Sequence, residues 1–78
     1  MNSVFLIGEP GVPRMIRLEK KLNFYKINYT FMNINLKQNI IKNIEGYPLI
    51  VIKDGDEEIK RWVRVVPLID EIREFLCK

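Results

Sequence analysis

The chain is poor in reactive side chains. Among its 78 residues Cys77 is the single cysteine, and there is no histidine. One thiol cannot close an internal disulfide or build a thiolate metal cluster. Without an imidazole the usual general base and the commonest metal ligand are missing, and no Cys-His or Ser-His pair can form. Asp54, Asp56, Glu57 and Glu58 crowd into one short stretch. Such carboxylates can hold a hard cation, but beside a glycine they read more simply as a solvated turn, and no metal or cofactor site is expected. Arg14, Arg17, Lys20 and Lys21 form a basic run. A run of this kind can bind phosphates. Here Glu19 interrupts it and it wraps more than one helix face, so nucleic-acid binding is the weaker alternative. Cys77 reads as a terminal thiol with no catalytic role.

The bulk composition fits one small globular domain spanning residues 1–78. Hydrophobic residues make up 47% and charged residues 29%, which is ordinary for a folded domain and excludes a disordered chain. A chain this short buries roughly 60% of its unfolded surface, so the core is modest. The formal net charge of +3 favours acidic partners without demanding them. No apolar run approaches the roughly 20 residues that span a bilayer. Met1-Asn2-Ser3 opens no basic-then-apolar export signal. The expectation is therefore an intracellular, cytoplasmic protein with no membrane partner. The abundance of Asn, Lys and Ile fits an AT-rich coding genome, viral or bacterial.

Apolar periodicity lays out the elements that must position any site. Val4-Phe5-Leu6-Ile7 is a continuous apolar run, as in a strand covered on both faces. Gly8-Glu9-Pro10-Gly11 is a loop by composition, and Pro13 suits the first turn of a helix. Met15, Leu18 and Leu22 then recur at helical spacing, predicting a helix from about Val12 to Asn23. From Ile27 to about Met32 apolar and polar residues alternate with the two-residue period of a strand. A short helix carrying Ile40, Ile41 and Ile44 is expected from Asn35 or Leu36, stopping near Gly46. Pro48-Leu49-Ile50-Val51-Ile52 reads as a third strand. Asp54-Gly55 signals a hairpin into a fourth strand through Ile59, Arg61 and Val63. Pro67 opens a last helix with Leu68, Ile69, Ile72 and Leu76 inward and Asp70, Glu71 and Lys78 placed to suit its dipole. The order β-α-β-α-β-β-α predicts an α/β domain with one mixed four-stranded sheet and three helices over its faces. The first crossover should be right-handed and parallel.

This order and three local motifs resemble the glutaredoxins and the redoxins that reduce ribonucleotide reductase, within the thioredoxin fold. Those families enter their first helix through a P-G-C-P-Y-C loop. Pro10-Gly11-Val12-Pro13-Arg14-Met15 lies at that place, with the family cysteines falling on Val12 and Met15. Pro48, preceded by Gly46-Tyr47, matches the cis-proline that opens the third strand. Trp62-Val63-Arg64-Val65-Val66-Pro67 resembles the W-S-G-F-R-P run of the redoxins, with Val63 and Arg64 in place of the small residues. The resemblance covers nearly the whole chain.

The resemblance implies a thioredoxin-like scaffold without its chemistry. Thiol–disulfide exchange needs a thiolate at the start of the first helix, and an isopropyl group and a thioether cannot supply one. What it leaves is a binding face: Val12, Pro13, Met15, Tyr47 and Pro48 as an apolar patch, with Arg14, Arg64 and Trp62 at its edges. Met and aromatic side chains suit adaptable protein contacts. The leading expectation is a redox-inactive, glutaredoxin-like module that binds a protein, as an inhibitor, adaptor or accessory subunit of a larger enzyme; a viral protein acting on a host enzyme is one version. The alternative is a thiol–disulfide oxidoreductase with an altered active site. Glutathione is a poor candidate ligand, because Arg64, Val65 and Val66 stand where those families hold its γ-glutamyl end, and branched side chains there obstruct it.

Overall fold

The computed structural model describes residues 2–34, 41 and 44–76. The apolar run near the N-terminus becomes β1 (Asn2–Gly8), followed by α1 (Pro13–Phe24) and β2 (Tyr29–Asn33). A hairpin of β3 (Leu49–Asp54) and β4 (Glu57–Val63) leads to α2 (Ile69–Leu76). The strands form one mixed sheet in the order β2-β1-β3-β4. β1 and β2 are parallel, while β1–β3 and β3–β4 are antiparallel.

Both central strands are covered on both faces, as their unbroken apolar sequences require. Val4 and Leu6 of β1 join Ile50 and Ile52 of β3 on the face that receives Met15, Leu18 and Leu22 of α1 and Ile69 and Ile72 of α2. Ile7, Leu49 and Val51 face the other way, where Met32, Ile41 and Ile44 pack on them. Trp62 lies at the edge of the helix-side core, with Phe75 of α2 edge-on to its ring at 5.8 Å.

The observed helices number two among the described residues, not three. The helix expected from Asn35 or Leu36 falls mainly on residues 35–40, 42 and 43, outside the described residues, as do Cys77 and Lys78. Of that segment's apolar residues, Ile41 and Ile44 are described, and they cover the second sheet face.

Other expectations shift by a residue or two for local reasons. α1 ends at Phe24 because the chain turns into a left-handed residue at Lys26 (φ 58°). There the Ile27 N–H donates to the Leu22 carbonyl at 2.8 Å and the Lys26 N–H to that of Asn23 at 3.1 Å, closing off the last carbonyls. The second strand begins at Tyr29 rather than Ile27, since Ile27 is occupied in that helix end. The tight turn is centred on Gly55 and Asp56, with Asp54 paired to Glu57. Gly55 takes the positive φ of 62° that this turn demands. The ladder then shifts between Ile52 and Lys53, leaving Ile59 out of register and exposed. Leu68, expected inward, is 68% exposed. It instead caps α2: its N–H donates to Glu71 Oε2 at 2.8 Å, and its carbonyl receives the N–H groups of Glu71 and Ile72. No helix among the described residues is long and apolar enough to cross a membrane.

Ile50 touches both helices' side of the core and is fully buried. Ile50→Ala should lower the unfolding free energy by about 2–5 kcal/mol in urea denaturation. A loss within the error of the extrapolation would show that this strand is not central.

Candidate functional site

The sheet brings three separated segments to one end. Ile7 of β1 pairs with Leu49 of β3, so Gly8 ends its strand beside Pro48. A Cβ placed on Gly8 would lie 3.9 Å from Met15 Cε and from Pro48 Cα and Cβ. α1 starts five residues further on, at Pro13. Val12, Met15, Arg14, Gly8, Tyr47 and Pro48 thus line one cavity of about 290 Å³, with Glu9 and Ile34 completing it. The Tyr47–Pro48 peptide is cis.

Within that cavity the side chains play unequal parts. Met15 is 1% exposed and forms the floor, so it shapes the cavity rather than offering a broad contact surface. Tyr47 is 42% exposed and stands at the rim. Pro13 and Arg14 are exposed on the first turn of α1. Val12 is half-buried and occupies the helix cap position with an extended backbone (φ −71°, ψ 123°). Its carbonyl accepts the Ile16 N–H at 3.0 Å. Its side chain makes no capping hydrogen bond, and the first turn contains no acidic residue. The positive end of the helix dipole therefore faces the cavity with Arg14 adding to it rather than offsetting it.

Arg64 is brought to the rim by the residues before Pro48. Its N–H donates to the Pro48 carbonyl at 2.8 Å and its guanidinium to the Glu45 carbonyl at 3.0 Å. The side chain lies so close over Gly46 that a Cβ there would collide with Arg64 Nε. Arg64 also holds φ at 63°. Unlike Lys26, it does not end a helix, and a branched or long side chain in that region costs about 1–2 kcal/mol. The two hydrogen bonds hold it there. The same preceding segment is tethered by Arg61, whose guanidinium forms a two-pronged pair with Glu58 (2.8 and 2.6 Å) and approaches Glu45 Oε1 at 3.8 Å. The Arg61 hydrogen bonds hold the Glu58 carboxyl below the usual carboxylate range. At the far end of the sheet, burial and then a hydrogen bond to Glu19 push the Tyr29 hydroxyl upward.

Of the residues expected at this face, Val12, Arg14, Met15, Tyr47 and Pro48 line the cavity, Arg64 is bonded to the Pro48 carbonyl, and Pro13 is exposed on the first turn of α1 without lining it. Trp62 does not line it either: its ring is committed to Phe75 and the helix-side core, because position 62 pairs with Ile50 and shares that face. Gly8 and Glu9 line the cavity and carried no signal beyond a loop composition. The hairpin carboxylates build no cation site, and among the described residues no group of three or more metal-ligating side chains comes together. No family model, curated protein or solved structure matches the chain.

The cap position gives a direct test of the local argument. Threonine has nearly the shape of valine and adds an oxygen that can accept the first-turn N–H groups. Val12→Thr should raise stability by about 1 kcal/mol in thermal or urea unfolding. No gain would mean that these N–H groups already have a partner.

Proposed function

We propose that the chain is a thioredoxin-like domain of the glutaredoxin type that has given up thiol chemistry and binds a segment of a protein partner at the cavity between Val12 and Pro48. The sheet order β2-β1-β3-β4, with a parallel β1-α1-β2 crossover joined to a hairpin, is the arrangement that reading requires. The placement of Val12 at the start of α1 and against Pro48's cavity is the second requirement.

The observation that carries the binding role is where local stability is conceded. Val12 leaves a helix uncapped, and Arg64 holds a backbone angle that glycine adopts without cost. Both flank the same segment around Tyr47 and Pro48. Departures from local preference gather at functional sites, where another requirement outweighs them. At this site the available chemistry is an apolar floor, an exposed tyrosine and two cationic edges. Those groups can hold an apolar side chain and orient the chain that carries it; they cannot accept or donate electrons at sulfur.

The test is affinity capture from the native cell with the intact chain, run beside Tyr47→Ala and Arg14→Glu. Both exposed substitutions should leave the fold intact by circular dichroism and abolish recovery of the principal captured protein. Equal recovery with both variants would move the binding face elsewhere.

A further inference from the structure

We propose a second docking site, in the groove between α1 and the Val66–Leu68 segment, for an acidic peptide stretch that also carries apolar residues. It goes beyond the cavity reading and stands without it. Arg14, Arg17 and Lys21 line this groove together with Leu18, Val66 and Leu68. The three cations follow the spacing i, i+3, i+7 and so form one stripe along α1, about 10 Å long. Glu19, which interrupts the run in sequence, lies away from the groove, accepting the Tyr29 hydroxyl at 3.0 Å. No hydrogen bond or ion pair engages the side chain of Arg14, Arg17 or Lys21 among the described residues. Two carboxylates at the start of α2 are engaged elsewhere: Glu71 accepts the Leu68 N–H at 2.8 Å, and Asp70 faces Arg73 at 3.8 Å, while Glu9 lines the adjoining cavity with Arg14.

Charge complementarity identifies the occupant as an anion, and the walls identify its kind. Opposite the cations stand Val66 and the exposed side chain of Leu68, with Val65 beside them at 53% exposure. The groove's lining offers no aromatic ring on which a base could stack. The groove's volume of about 160 Å³ is below the range of small-molecule sites, which starts at about 300 Å³. An extended peptide fits both walls: its side chains alternate in direction, so carboxylates can meet the arginine and lysine heads while intervening apolar residues meet Val66 and Leu68. Arg14 lines this groove and the Val12–Pro48 cavity alike, so a single partner chain can run from one to the other.

Fluorescence anisotropy with a labelled peptide of alternating aspartate and leucine tests the site. The controls are the same peptide with asparagine for aspartate, a labelled oligothymidine, and phosphatidylcholine–phosphatidylserine vesicles. The aspartate peptide should bind, more weakly as salt rises, and the asparagine peptide should bind at least roughly tenfold more weakly. Arg17→Glu combined with Lys21→Glu should reduce binding by a similar factor. Should the reversed variant lose its fold, Arg17→Gln with Lys21→Gln serves the same comparison. Equal binding by wild type and the charge variant, or binding of the oligonucleotide or vesicles in place of the peptide, would overturn the proposal.

Discussion

The antiparallel pairing of Ile7 with Leu49 is the constraint on which the site depends. It sets the end of β1 beside the start of β3. Because β2 runs parallel to β1, the chain must climb back over the sheet through α1, whose N-terminus therefore starts at that same end. Residues 8 and 48, remote in sequence, become neighbours through the strand pairing, and the short loop after Gly8 brings residue 12 back to the same end. Their side chains need not attract one another. The core then fixes the tilt of α1, since Met15, Leu18 and Leu22 seat against Leu6, Ile50 and Ile52.

On the proposed reading, that dependence lets the scaffold persist without a reacting thiol. The strand pairing makes no use of the side chains at positions 12 and 15, and Met15 is buried as the cavity's floor. What changes is the character of the opening. Mostly hydrocarbon lines it, the first turn of α1 beside it carries no acidic residue, Glu9 and Arg14 border it, and Arg64 is bonded to the Pro48 carbonyl next to it. A site of that composition selects by shape and charge. It is physically continuous with the cationic groove along α1, because the Arg14 side chain borders both.

Much of the architecture was legible because the signals were redundant. Val4 to Ile7 and Leu49 to Ile52 are unbroken apolar runs, and only a sheet covered on both faces uses such runs. Pro13 and the Met15, Leu18, Leu22 spacing left no competing reading for α1. The misplacements came from choices the sequence leaves balanced. Gly55 could serve either central position of the turn, and the register shift at Ile59 has no sequence mark. Leu68 looks like a core residue until the Glu71 side chain claims its N–H as a cap. Trp62 was placed at the site by its motif, whereas the pairing with Ile50 turns it to Phe75. The groove was hidden for a related reason: Glu19 breaks the basic run in sequence, but on a helix it falls on a different face from Arg14, Arg17 and Lys21.

The central claim of the proposed reading is that Val12 puts a hydrocarbon where the glutaredoxins it resembles carry a nucleophile. Turbidimetric reduction of insulin with dithiothreitol as the electron source measures that directly. The native chain should match the protein-free control, and Val12→Cys in a Cys77→Ala background should gain a thiol with a pKa below the ordinary value of about 8.5 that, without dithiothreitol, attacks an insulin disulfide and leaves a mixed disulfide and a released insulin thiol. Reduction by the native chain above the control, or a Val12→Cys thiol that titrates like a free cysteine, would contradict the account.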